Sequence, residues 1–270
     1  LSNNRLPHAT IFADKPTMPY IGAFFVFLTY FPPFSMKSPI EYLRFHRLAS
    51  FVIGIALGSV VAVFAQDTTI SAGASNPPKE EGKFRKSELI ELIKLDPTIR
   101  LDVRYAKSNN FVGRPLYKEE RAFLQRPAAE ALVKAHRSLK QYGYGLLIFD
   151  GYRPWRVTKL FWDVTPAALK KFVANPANGS RHNRGCAVDL SLFDLKTGKE
   201  ISMPSEYDEM TDRAYPTYTG GTDEQRRMRD LLKQEMEKQG FTVFSIEWWH
   251  FDYNNWREYP ILDIDFSEIK

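Results

Sequence analysis

Apolar and polar positions from residue 83 onward follow two periods, and the two predict different elements. Residues 127–141 give the clearest helix: a proline in the first turn, then Ala131, Leu132, Ala135 and Leu139 on one face, with Gly143 as terminator. Residues 223–239, closed by Gly240, repeat the helical spacing, and residues 155–172 read mainly as helix with an interruption near Pro166. Residues 87–95 space Leu89, Ile90, Leu92 and Ile93 as a helix does and stop at Asp96-Pro97. Strand signals lie between these segments. Ile99, Leu101, Val103 and Tyr105 alternate with polar neighbours. Residues 144–149 form a short buried strand, residues 186–193 are apolar and strand-like, and 194–199 make a hairpin-type connection. Residues 109–115 are a loop, and 241–253 a β-rich aromatic run. Strands and helices segregate rather than alternate strictly, which predicts an α+β fold with an antiparallel sheet flanked by helices.

The first 82 residues lack this patterning. Residues 36–65 read as a signal peptide: Lys37, Arg44 and Arg47 form a basic end, 48–63 is an uncharged, mostly apolar run, and Val63-Phe64-Ala65 offers small residues for cleavage. The competing reading is an N-terminal membrane anchor. The apolar run of about 16 residues falls short of the roughly 20 needed to span a bilayer, which favours cleavage. Residues 1–35, with an aromatic-rich stretch broken by Pro32 and Pro33, are read as upstream sequence, with Met36 as the expected start. Residues 66–82 form a polar linker, and residues 83–270 are the expected catalytic domain, large enough for a core of its own.

Composition narrows the setting. The only cysteine, Cys186, excludes an internal disulfide and a lipid attachment in the leader. An exported chain without disulfides fits a bacterial periplasm or cell envelope. The net charge of +5 is mild, and no basic block interleaved with aromatics points to nucleic acid. No stable membrane partner is expected once the leader is removed.

The chemistry gathers in two short segments, Ser180 to Asp189 and Glu247 to His250. Of the five histidines, His8 and His46 lie in or before the leader, and His136 is expected as a surface or half-buried side chain of the long helix. His182, Asp189 and His250 supply a three-ligand zinc set, which leaves a coordination position for water and marks a catalytic site. A nearby carboxylate, Glu247, is what metal-assisted hydrolysis needs to take a proton from that water. Gly185 permits a sharp turn between His182 and Asp189. Glu247 and His250 pose a difficulty, because residues three apart on a regular strand face opposite sides. The segment must bend there, or Glu247 binds the metal and Asp189 is the outer carboxylate; the spacing leaves both open. The same ligand types also form the facial triad of non-haem iron enzymes, against which export and the modest strand content argue. Arg153, in a tight turn after a buried strand, is either a surface ion pair or a fixed cation aimed at a developing oxyanion.

Ser180, His182-x-x-Gly185-x-Ala187-x-Asp189 and Glu247-Trp248-Trp249-His250 together resemble the D-alanyl-D-alanine dipeptidases of the VanX type, a zinc peptidase group that also contains D,D-carboxypeptidases. The resemblance spans about residues 95–255 and includes Asp102 to Ala106, Asn110-Phe111-x-Gly113, Tyr142 to Leu147 and Asp150-Gly151-Tyr152-Arg153-Pro154. It implies one Zn²⁺ per chain on His182, Asp189 and His250, with Glu247 as catalytic base and Arg153 as transition-state stabiliser. It also implies that Asp208 holds the substrate ammonium and that Tyr105 and Ser180 line the pocket. The expected activity is hydrolysis of a small D,D-dipeptide in cell-wall turnover. The competing readings are a D,D-carboxypeptidase that trims peptidoglycan stem peptides, and a non-catalytic wall-binding module.

Overall fold

The computed structural model describes residues 76–270. The expected upstream segment with His8, the leader with His46, and most of the linker lie outside the described residues.

Among the described residues there are seven strands and four helices. They run β1 (Leu89–Glu91), α1 (Leu92–Leu95), β2 (Arg100–Leu101), β3 (Phe123–Gln125), α2 (Arg126–Leu139), β4 (Tyr144–Asp150), α3 (Trp155–Val164), β5 (Ala187–Asp194), α4 (Asp223–Glu237), β6 (Phe241–Phe244) and β7 (Glu247–Tyr253). Five strands form the main sheet in the order β2-β4-β5-β7-β6, and β1 pairs with β3 in a separate two-stranded ribbon. The fold is α+β, as the segregation of elements predicts.

The sheet is antiparallel where it carries the site, as expected, and mixed only through β2, which runs parallel to β4. Two expectations are corrected. The helix expected over 87–95 is confined to its last four residues, since Leu89–Glu91 finds ladder partners in β3 instead. The strand expected over 99–105 is two residues long and then tightens into a 3₁₀ turn, Arg104–Ala106, that buries Tyr105. In each case tertiary pairing overrides local periodicity.

Alternation along β4 and β5 divides the sheet into two faces. Leu146, Ile148, Val188, Leu190 and Leu192 join the large core, together with Ala128, Leu132, Ala135 and Leu139 of α2 and Met228, Leu232 and Met236 of α4. Each such fully buried leucine contributes about 1.5–3 kcal/mol. Leu147, Phe149 and Phe193 form a smaller cluster with Tyr207, and Asp189 shares the β5 face of Phe193, further along the strand. Helices α2 and α4 thus cover one side of the sheet, leaving the other for chemistry. Helix α4 begins with a capping box in which Thr222 accepts from the Gln225 amide and the Gln225 side chain accepts from that of Thr222.

His136 is a further correction. It is fully buried: its Nδ1 accepts from the Leu146 amide at 3.0 Å, and its Nε2 lies 2.9 Å from the Thr98 hydroxyl. It fastens α2 to β4. Glu80, within the expected linker, accepts from Arg184 and from the Ile261 amide, so this part of the segment is held against the domain.

Candidate metal centre

His182, Asp189 and His250 converge, with one ligand atom from each lying within 4.8 Å of the others. His182 sits in a 3₁₀ turn (His182–Arg184) that Gly185 closes in a left-handed conformation, φ 67°. That left-handed backbone calls for glycine, and a Cβ there would also press a terminal methyl of Leu89 at 2.5 Å. The chain then enters β5, where Asp189 stands directly opposite His250 of β7. The Asp189 Oδ1 atom lies 3.3 Å from His182 Nε2 and 3.0 Å from His250 Nδ1, and the two nitrogens are 3.1 Å apart.

The far side of each ring fixes what its near side offers. His182 Nδ1 is 2.7 Å from the Gly151 carbonyl, which can only accept, so the hydrogen sits there and Nε2 keeps its lone pair. His250 Nε2 is 2.9 Å from Asp252 Oδ1, which likewise frees Nδ1. Two lone pairs and a carboxylate oxygen thus face one another in a buried space. Asp189 Oδ1 has no hydrogen-bond partner among the described residues. A buried oxygen in that position is satisfied by a cation, and the nitrogen and oxygen donors suit zinc. The field agrees. Burial opposes charge on His250, yet Asp252 and Asp189 outweigh it and lift its pKa to about 10. Burial also works to raise Asp189, but the two imidazoles hold it well below the usual carboxylate range.

The three-residue spacing of Glu247 and His250 is resolved by a bulge. Pairing between β6 and β7 jumps from Val243–Phe251 to Phe244–Glu247, leaving Trp248, Trp249 and His250 with no residue opposite them on β6. Glu247, Trp249 and His250 therefore line one cavity, while the Trp248 indole turns into the core and donates to Ser205 Oγ. Glu247 Oε2 lies 3.7 Å from His250 Nδ1. Burial pushes the Glu247 pKa up to about 8, with Asp189 and Asp208 adding to it and His250 opposing.

A second irregularity, between Ile148 and Asp150 of β4, brings Asp150 opposite Asp189. Asp150 then holds Arg153, whose Nε donates to Asp150 Oδ2 at 2.8 Å and whose Nη2 lies 3.5 Å from Asp189 Oδ2. Arg153 is buried, and its guanidinium sits 4.6 Å over the Phe161 ring. Its backbone is tied to the histidine turn: the Arg153 amide donates to the His182 carbonyl, and Asn183 Nδ2 donates to the Arg153 carbonyl.

Tyr105, Ser180 and Asp208 line the same cavity of about 350 Å³. Asp208 has a positive φ of 60°, a conformation that aspartate tolerates better than most residues, and accepts from the Tyr105 hydroxyl at 2.8 Å. Burial raises the Asp208 pKa to about 7, against the opposing Tyr105 hydrogen bond. Ser180 Oγ accepts from the His182 amide. All eight residues singled out in the sequence thus meet at one place.

Four contributors escape sequence reasoning. Tyr207 donates to Asp189 Oδ2 at 3.0 Å, and Asp252, Asp150 and the Gly151 carbonyl orient the others. Asp252 had a usable signal, since it lies two residues from His250 on a strand and so on the same face. Tyr207 had none. Cys186 is buried, donates weakly to the Arg184 carbonyl, and has a pKa pushed up to about 12 by burial, as an inert thiol does.

The D-ala-D-ala dipeptidase family model, peptidase M15, matches residues 85–267. A D-alanyl-D-alanine dipeptidase of Escherichia coli (strain K12) is 33% identical over 181 residues, covering 67% of this chain and 92% of its own. One from Enterococcus faecium is 34% identical over 189 residues, covering 62% and 92%. The solved structure "VanYB in complex with D-Alanine-D-Alanine" overlaps at a TM-score of 0.37 and 14% identity, covering 68% of this chain and 85% of that one, too distant to inform the fold. A match across two thirds of the sequence, centred on the segments that build the cavity, makes this chain a member of the D-ala-D-ala dipeptidase family.

Proposed function

We propose that the chain is a zinc-dependent dipeptidase that hydrolyses D-alanyl-D-alanine. One observation carries the proposal: a buried two-histidine, one-carboxylate cluster shares its cavity with a second carboxylate, Glu247, and a buried guanidinium, Arg153. His182, Asp189 and His250 would hold the ion, which in such sites polarises a carbonyl and lowers the pKa of water.

The chain's own groups do the rest. Asp189 is the ligand carboxylate, because its Oδ1 faces both imidazole nitrogens and has no other partner among the described residues. Glu247 is the base. It takes the proton of the attacking water and returns it to the leaving amine, a double duty suited to a carboxyl whose surroundings keep its proton affinity high. Arg153 shares the negative charge that develops on the carbonyl oxygen. Asp150 fixes that guanidinium in place before the substrate arrives, so little reorganisation is needed during reaction. Asp208, steadied by the Tyr105 hydroxyl, receives the substrate ammonium. Ser180 shapes the pocket beside the histidine turn. The site works outside the cytoplasm on wall-derived peptides, a reading that rests on the leader sequence.

The test is hydrolysis by the purified full chain of D-alanyl-D-alanine, L-alanyl-L-alanine and a peptidoglycan stem pentapeptide ending in D-alanyl-D-alanine. Efficient cleavage of the free D,D-dipeptide alone is expected. Preference for the pentapeptide would make the enzyme a carboxypeptidase, and cleavage of none would sink the assignment.

A further inference from the structure

Four cationic side chains line the site cavity: Arg153, Lys171, Arg181 and Arg184. Three are engaged. Arg153 is held by Asp150 and Asp189, Arg184 donates to the Tyr259 carbonyl and to Glu80, and Lys171 reaches the Tyr215 hydroxyl at 3.3 Å. Arg181 differs from them. Its one charged neighbour is Asp252, 3.5 Å from its Nε, and its guanidinium makes no hydrogen bond among the described residues. Asp252 is itself committed through its other oxygen to His250 Nε2.

Yet the Arg181 guanidinium is not loose. It lies 5.0 Å from the centre of the Trp256 ring and 5.6 Å from that of Phe244, and the side chain is 37% exposed. Two aromatic faces hold the planar group while most of its five N–H donors stay available, an arrangement that prepays the ordering cost of binding a carboxylate through two parallel hydrogen bonds.

We infer that Arg181 is a specificity-determining residue that binds the free α-carboxylate of the substrate's C-terminal residue. The inference rests on the dipeptidase reading. A dipeptide is a zwitterion whose two charges flank one peptide bond. Asp208 supplies negative charge for one end, and among the cations of the same cavity Arg181 has its donors free for the other. Arg181 also immediately precedes His182 in the chain, and both line the same cavity. A substrate extended or amidated at its C-terminus lacks that charge and forfeits the contact.

The test compares D-alanyl-D-alanine with its C-terminal amide in the zinc-loaded full chain, for wild type, Arg181→Met, Arg181→Lys and Lys171→Met. Arg181→Met is expected to raise KM for the free acid about tenfold to a hundredfold, in line with losing charge-assisted hydrogen bonds, with kcat nearly unchanged. Kinetics on the amide should not move. Arg181→Lys, which keeps the charge without the fork, should fall between, and Lys171→Met should leave the acid-to-amide preference intact. Equal losses on acid and amide, a fall in kcat at constant KM, or a preference that vanishes in Lys171→Met would each overturn the assignment. Calorimetric binding of acid and amide to Glu247→Ala protein, with and without Arg181→Met, separates this claim from the activity. If wild type cleaves neither compound, the dipeptidase reading fails, while an Arg181-dependent preference for the acid still upholds the carboxylate site and its absence refutes it.

Discussion

Glu247 carries the heaviest chemical demand of any single side chain. Glu247→Ala should lower kcat about 10²–10⁴-fold, the usual contribution of a positioned general base, while zinc content per chain stays at the wild-type value. Loss of the metal along with activity would show instead that Glu247 is a ligand. Asp252 gives the complementary case. It lies outside the cavity lining, but it holds the His250 proton on Nε2, so Asp252→Ala should weaken zinc affinity about 10–100-fold. Competition with a chelator of known affinity checks this, and unchanged affinity would refute the orienting role. At this scale the sequence is largely legible. His182, Asp189, Glu247, His250 and Arg153 are rare, chemically distinct residue types packed into short motifs. Tyr207 was not, because a tyrosine reaching a carboxylate 18 residues away leaves no local trace.

Elements decide whether those side chains meet. Regular strands would send Glu247 and His250 to opposite faces, and the break in β6–β7 pairing removes the conflict. Sequence reasoning reached the need for a bend and stopped there, since the pairing partners of a bulge are set by tertiary register. The same holds for β1, whose helical periodicity yields to pairing with β3. Gly151 links element geometry to the metal. A Cβ there would fall 2.7 Å from the Phe123 carbonyl oxygen, which is backbone and cannot step aside, while the Gly151 carbonyl orients His182. Gly151→Ala should therefore displace the turn and weaken zinc binding as well as lower the melting temperature. A variant destabilised with zinc affinity intact would break the proposed link.

Across the whole molecule, the buried joint between α2 and β4 makes stability depend on pH. Burial lowers the His136 pKa from the usual 6.5 to about 4, with Lys140 adding to it. Between those values the unfolded chain binds a proton that the folded chain refuses, so stability falls as pH drops from 6.5 toward 4. The loss reaches about 3 kcal/mol at most, at 1.36 kcal/mol per pKa unit. Urea midpoints for wild type and His136→Gln over this range should show a steeper pH slope in wild type; parallel slopes would contradict it. The sequence suggested a surface or half-buried His136, between Ala135 and Arg137 on its helix, and only the approach of Thr98 and β4 encloses it.

The central claim is that one zinc ion held by His182, Asp189 and His250 confers dipeptidase activity. Stripping the full chain with a chelator and titrating zinc back, while measuring bound metal and D-alanyl-D-alanine hydrolysis together, tests it most directly. Activity should be absent at the start, rise in proportion to zinc, and level off at one ion per chain, with His182→Ala showing neither tight binding nor recovery. Hydrolysis that persists in the stripped protein, or that saturates at another stoichiometry, would contradict the account.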